Sequence, residues 1–354
     1  MFYCLGALCA AAVLLIAARC SMEFAEWYAV HIFPFFPSVL GRLFSFLPFS
    51  VFELLLILVC FWLLLLCARV FLHLIRGFMA SPAPHSRLKI NAPGLAALLC
   101  TLMLMFTLTC GINYNRAPLA TALGLEVHPA TTQELKQLFM LLCAETEATN
   151  ASIKTNAAGL FELCEKPQEN SRAVMKDLGE AYAFFNTYYP KPKPLVCSTI
   201  LSYLQLAGIY SPFTIEANFN RFMPPGDLPF TICHELAHLC GFAREDEANF
   251  ISYIACKNSG NSDFYYSGLL NALSYVLNAL YDDIPLAEYR EIIACLPSQA
   301  RKDMRFSANY WHKYAGPAAE FSSQVNNVYL QANNQPEGIK SYGRMIDLLL
   351  AYYF

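Results

Sequence analysis

The sequence predicts a helix-dominated α+β chain in which three apolar N-terminal helices precede a domain suited to water. Three observations carry this: an uneven distribution of charge, three apolar runs of spanning length, and helical patterning beyond residue 114 broken by one stretch of β-formers. The 354 residues are 56% apolar and only 14% charged, too apolar for an average soluble protein and long enough for membrane spans plus a domain. The imbalance is local. Residues 1–113 hold nine charged side chains (Arg19, Glu23, Glu26, Arg42, Glu53, Arg69, Arg76, Arg87 and Lys89), against 42 in the remaining 241.

Residues 2–18, 52–72 and 92–112 are apolar runs long enough to cross a bilayer, which takes about 20 helical residues. They place spans at about 2–20, 50–74 and 92–113 in a membrane region covering 1–113. The first run has no basic residues before it, and Arg19 precedes Cys20 where a lipoprotein site needs a small residue, so it reads as an uncleaved anchor. Between the first two runs, Trp27, Tyr28, Phe33, Phe35, Phe36 and Phe44, broken by Pro34 and Pro37, suit an interfacial or re-entrant segment. A loop packed on neighbouring helices is the plainer reading.

The connection between the second and third spans holds Arg76, Arg87 and Lys89, with Arg69 near its start; the earlier connection holds only Arg42 clear of the spans. Positive-inside logic puts the richer loop in the cytoplasm, and three spans then leave the C-terminal domain outside. From residue 114 onward 18 basic residues face 24 acidic ones, a formal −6, against +3 for the membrane region. No basic patch of the kind that binds nucleic acid occurs, so a lipid bilayer is an expected partner and nucleic acid is not. Of the 14 cysteines, seven lie in or beside the spans. Seven remain in the domain, where Cys143 and Cys164 could pair, but the absence of CxxC spacing favours mostly free, buried thiols.

The domain divides into a helical part, 114–190, and a second part, 195–354. Thr131-x-x-Glu134 is a capping box ahead of Leu135, Leu138, Phe139 and Leu142 at helical spacing. A second helix uses Val174, Leu178, Ala181, Tyr182 and Phe185, and Pro190 to Pro194 stiffens the chain into an extended connector. Residues 210–219 read as a short strand. Beyond Tyr266 the pattern predicts helices over 269–280, 286–296, 299–314, 318–332 and 342–352, separated by prolines.

The chemistry centres on Thr231-Ile232-Cys233-His234-Glu235-Leu236-Ala237-His238-Leu239-Cys240, an HExxH motif with uncharged flanks. Residues four apart share a helix face, so His234 and His238 can hold one metal ion with Glu235 beside it, the geometry of a zinc hydrolase. Asp227 is placed to cap the helix, and Pro229 fits its first turn, where a missing N–H costs nothing. A buried amphipathic helix with two hydrogen-bonded histidines is the alternative. Gly241 can end the helix in a left-handed cap, after which a second helix opens at Glu245-Asp246-Glu247. Glu245 and Glu247 compete as third ligand. Glu245 is favoured because Asn249 stands four residues on, so one face offers a carboxylate to the metal and an amide to a ligating histidine.

Glu245-x-x-Ala248-Asn249 resembles the Glu-x-x-Ala-Asp signature of gluzincin metallopeptidases, with Asn249 where most have aspartate. A fuller likeness rests on the apolar N-terminal segments, residues 210–218, HELAHLCGFAREDEANF, Tyr266-Ser267-Gly268 and Ser341-Tyr342-Gly343. In these the chain resembles the domain of unknown function 3810 family, bacterial membrane proteins regarded as candidate zinc metallopeptidases. The resemblance implies a zincin-like metallopeptidase domain on a multi-pass membrane protein and one zinc ion on His234, His238 and Glu245; the family has no established substrate, and a peptide or protein is the one the hydrolytic chemistry suggests. The resemblance also implies Tyr266 and Tyr342 as candidate partners of the oxyanion. In gluzincin-like proteases the strand ahead of the metal helix offers a free edge to an extended peptide. Residues 211–219 are the expected edge, with Phe213, Thr214, Glu216 and Asn218 as contacts; a plain core strand is the competing reading.

Two rivals stand beside this expectation. An intramembrane protease would use the motif helix as a span, but residues 228–242 are too short for one. A non-enzymatic membrane sensor or scaffold would keep a structural or vestigial zinc site, yet has no need of Glu235.

Overall fold

The computed structural model describes residues 2–79 and 92–354. Arg87 and Lys89, on which the expected orientation rests, lie outside the described residues. The helices run α1 (Phe2–Cys20), α2 (Met22–His31), α3 (Arg42–Ser45), α4 (Val51–Met79), α5 (Ala92–Phe106), α6 (Leu119–Leu123), α7 (Thr132–Thr149), α8 (Pro167–Ala181), α9 (Ser198–Tyr203), α10 (Leu228–Ala237), α11 (Glu245–Asn258), α12 (Ser262–Asp283), α13 (Leu286–Ala294), α14 (Ser298–Lys313), α15 (Pro317–Ala332) and α16 (Met345–Tyr353). The strands are β1 (Lys154–Thr155), β2 (Phe161–Glu162), β3 (Lys193–Pro194), β4 (Gly208–Ser211) and β5 (Glu216–Phe219).

Among the described residues three helical stretches are long and apolar enough to cross a membrane: Phe2–Cys20, Val51–His73 and Ala92–Asn115. The third is α5 extended by a π-helical turn, Thr107–Gly111, and a 3-10 turn. It packs on α1, where a Cβ at Gly111 would come 3.0 Å from a Leu15 methyl. The most apolar stretch of α4, by contrast, is only 6% buried and stands apart. It is held at its first turn. Val51 and Phe52 donate their N–H groups to the Glu216 carboxylate (3.1 and 2.8 Å), while Glu53 accepts from the N–H groups of Val196 and Cys197. A carboxylate at a helix start satisfies orphan donors and suits the helix dipole. The aromatic segment after α2 is divided: Phe33 is buried, whereas Phe35, Phe46 and Phe49 are exposed.

The domain core is helical, with Leu138 and Leu142 of α7, Met175 of α8, Ile232 and Leu236 of α10, Ile251 of α11, Leu273 and Val276 of α12 and Leu349 of α16 in one buried cluster. The capping box forms as expected. Tyr182 and Phe185 fall past the end of α8, Tyr182 just before and Phe185 within a tight 3-10 turn, Ala183–Phe185.

One three-stranded sheet, in the order β3-β5-β4, lies beside α10. Two expectations change here. The proline-rich connector contributes β3, parallel to β5, and residues 210–219 make two antiparallel strands, β4 and β5, joined by a turn in which Ile215 has φ 52. Because β3 and β4 flank it, β5 is central and all four of its residues are buried. The edge strands are β3 and β4, and β4 is the one that borders the cavity beside α10. Asn220 N–H donates to Ala207 O, and Leu195 N–H to Phe219 O on the far side of β5. With the alternation of an antiparallel ladder, this turns the backbone groups of Gly208 and Tyr210 away from β5. Tyr342, expected in a helix, sits in the 3-10 turn Gly338–Arg344.

Candidate metal centre

Helix α10 places its histidines by burying its other face. Ile232, Cys233, Leu236 and Ala237 are fully buried. Pro229 occupies the first turn, but the Asp227 carboxylate does not cap; it accepts from the Ser307 hydroxyl (2.6 Å) and the Trp311 indole N–H (3.1 Å), which draw it outward. After Ala237 the chain tightens into a 3-10 turn, His238–Cys240, and stops at Gly241 with φ 79. Arg116 fixes this end. Its guanidinium donates to Cys240 O, pairs with Glu26 and lies 3.9 Å over the Phe242 ring.

His234 Nε2 and His238 Nε2 lie 3.1 and 3.9 Å from the same Glu245 carboxylate oxygen. One ligand atom from each of these three residues lies within 4.8 Å of the others. A zinc ion bonded at about 2.0–2.2 Å sets its donors roughly 3–4 Å apart, so the donor set fits a small divalent cation. His238 Nδ1 lies 2.8 Å from Phe242 O. A carbonyl only accepts, so Nδ1 carries the proton and Nε2 keeps its lone pair for a metal. His234 Nδ1 and Asn249 Nδ2 are both buried without a hydrogen-bond partner. The Asn249 amide lies within hydrogen-bonding influence of both His234 and Tyr275; turning its amide oxygen toward Nδ1 would satisfy the imidazole. Glu247 is committed elsewhere, accepting from Leu119 N–H at 2.7 Å and pairing with Arg244 at 3.4 Å.

Electrostatics follow from burial and proximity. Burial lowers the basicity of both histidines, but at His234 the Glu245 carboxylate outweighs it and the net shift is upward, whereas His238 stays lowered. Burial works to raise Glu245, but His234, His238 and the Tyr342 hydroxyl bring it below the ordinary carboxylate value. Burial pushes the Glu235 carboxyl up to about 8. That carboxylate lies against β4, where Tyr210's backbone N–H acts on it and a Cβ at Gly208 would fall 2.7 Å from its Cγ and Cδ. Only glycine lets the strand approach this closely.

A cavity of ≈ 640 Å³ opens over these groups, lined by His234, Glu235, His238 and Glu245, by Gly208 to Tyr210 of β4, and by Phe213, Asn326, Tyr329 and Tyr342. Tyr342 accepts from Asn326 at 3.3 Å. Of the residues expected to contact substrate, the structure brings Phe213 to the cavity. Thr214, Glu216 and Asn218 are buried among other partners: Thr214 donates to Ser211 Oγ, Glu216 pairs with Lys193 and caps α4, and Asn218 donates to Ile209 O. Their strand is central, so its edge was never free. Tyr266 is also elsewhere, fully buried against Phe161 with its hydroxyl donated to Asp303 at 2.7 Å. Gly208, Tyr275, Asn326 and Tyr329 stand near the site without having been singled out. Only Gly208 left a sequence signal, a glycine in a β-forming stretch, which marks a close backbone approach.

No curated protein and no solved structure matches the chain. Residues 28–350, from within α2 to within α16, match the family described as "Protein of unknown function (DUF3810)", and the chain belongs to that family.

Proposed function

We propose that this chain is a membrane-anchored zinc metallopeptidase, with one zinc ion on His234, His238 and Glu245 and Glu235 as general base. The observation that carries the reading is the convergence of these three donors with a buried carboxylate beside a strand that has a free edge. Two imidazoles and one carboxylate suit zinc and leave a coordination position open, as hydrolytic rather than structural sites do. When bound, the ion would supply Lewis acidity to a carbonyl, acidify a water and, by its charge, bring the Glu235 carboxyl down into the range of a base at neutral pH.

The chain's own groups do the rest. The outward-facing backbone groups of Gly208 and the Tyr210 carbonyl hold an extended peptide by main-chain pairing, largely regardless of its sequence, while the Tyr210 N–H stays on Glu235. Glu235 takes a proton from the attacking water and delivers it to the departing nitrogen; the C–N bond breaks, hydroxyl goes to the carbonyl carbon, and a carboxylate and an amine leave. Tyr342, whose hydroxyl helps to keep Glu245 ionised, lines the cavity with Tyr114, Tyr210 and Tyr329 and is the tyrosine we assign to the oxyanion. Three apolar helices anchor the domain at a membrane, on the outer face of a bacterial cell if the positive-inside expectation applies.

The test is Glu235→Gln in the full chain. The reading expects zinc retained and peptide cleavage lost; cleavage undiminished in Glu235→Gln would refute this role, and a wild-type protein that binds zinc but cuts no peptide would favour the sensor or scaffold.

A further inference from the structure

The cavity over the metal donors is not walled by the domain alone. Phe52, in the first turn of α4, and Phe106, Thr109 and Cys110 of the third spanning stretch line it together with His234 and Glu235. Tyr210 of β4 donates its hydroxyl to Thr109 O at 3.2 Å, which ties the strand to that stretch through a side chain. Phe106 lies nine residues before its end at Asn115, about 13 Å along a helix. The cavity therefore reaches from the metal donors to side chains of two stretches apolar enough to cross a membrane. On this side α4 leaves room, since it is held at its first turn and is exposed along Leu54 to Leu65.

The rim matches. Phe321 and Val325 of α15 line the cavity, and with Val328 they form a stripe at helical spacing that is 66%, 52% and 65% exposed. Phe46 and Phe49, just before α4, are exposed as well. An apolar stripe of this kind is unfavourable in water and favourable at a lipid interface. A peptide arriving from solution would have to cross that rim; a chain already in the bilayer meets a mostly apolar lining, Phe52, Phe106, Cys110 and Phe213 with Thr109 among them, beside β4. The motif helix itself lies in the domain core and outside the spans, so the bond cut is one that has just left the hydrocarbon.

From this we infer that the substrate is the juxtamembrane segment of a membrane-anchored polypeptide, which passes between Phe52 and Phe106 from the bilayer and pairs with the outward edge of β4. The inference rests on the metallopeptidase reading for the hydrolysis itself and adds where the chain comes from.

The test uses the full chain, loaded with zinc, in phospholipid vesicles. One peptide library carrying a photoreactive group is offered in three forms: joined directly to an apolar helix of about 20 residues, joined to the same helix through a flexible Gly/Ser linker of about 30 residues, and free. The linker form keeps substrate at the membrane surface, so it separates lateral entry from mere local concentration. Cleavage of the directly joined form at least about tenfold faster than both others supports the inference. Equal cleavage of the free or linker form overturns it and leaves the peptidase reading intact. If no form is cut, photocrosslinking to Glu235→Gln protein decides: adducts in the cavity from the directly joined form alone support the entry route while removing the peptidase reading, and equal or absent adducts overturn both.

Discussion

Replacing Lys193 by Met should destabilise the chain strongly without touching the metal donors. Lys193 and Glu216 are 3% and 2% exposed and pair at 2.5 Å, with Lys193 also donating to Phe44 O at 2.7 Å. Removing the ammonium leaves a buried carboxylate whose remaining donors are the N–H groups of Val51 and Phe52. Breaking a buried pair from one side costs about 3–5 kcal/mol, and the helix start can offset about 1 kcal/mol of that, for a net loss of roughly 2–4 kcal/mol. At about 2–4 °C per kcal/mol the melting temperature of the detergent-solubilised chain should fall by about 4–16 °C. The double variant Lys193→Met/Glu216→Gln should recover most of the loss, because no uncompensated charge remains. A single variant within about 2 °C of wild type, or a double variant no better than the single, would refute the reasoning. A Glu216→Gln chain that melts normally yet loses peptide affinity would restore Glu216 as a substrate contact.

Three further outcomes are expected. Gly208→Ala forces its Cβ and the Glu235 side chain apart by most of an ångström, which should lower peptide turnover by about 10²-fold with zinc content unchanged; unchanged turnover would show that Glu235 has room to act elsewhere. Tyr342→Phe should alter turnover, while Tyr266→Phe, which strips a buried bond to Asp303, should lower thermal stability and spare turnover. Asp227 has a carboxyl held above its ordinary 3.8, by burial that outweighs the Ser307 and Trp311 bonds. The folded chain then binds more proton than the unfolded one between 3.8 and the raised value, so stability falls as pH rises through that window. Asp227→Asn should flatten this fall in a series of melts, and a variant with the wild-type slope would contradict it.

What could be read from the sequence is local. The spacing of His234 and His238, the left-handed stop at Gly241 and the Thr131 capping box each depend on residues within a turn or two of one another, and the apolar runs are continuous in sequence; the third ligand, on the next helix, stays open in the sequence between Glu245 and Glu247. What could not be read depends on pairing across the chain. Residues 216–219 have the composition of a strand but become central only because Lys193 and Pro194 pair with them, a contact more than twenty residues back in sequence. That single pairing leaves Gly208–Ser211 as the edge beside the cavity and turns Glu216 and Asn218 inward. The Asp227 carboxylate was a reasonable cap until Ser307 and Trp311, some eighty residues on, drew it away. Tyr266 likewise carries no local mark of its partner Asp303.

The most direct test of the account is the metal content of the purified full chain beside its Glu245→Ala and Glu247→Ala variants at equal protein concentration. The account predicts one zinc per chain, lost with Glu245 and kept with Glu247, because only Glu245 shares a centre with His234 and His238. Zinc kept in Glu245→Ala but lost in Glu247→Ala, or no metal in any properly folded sample, would contradict it.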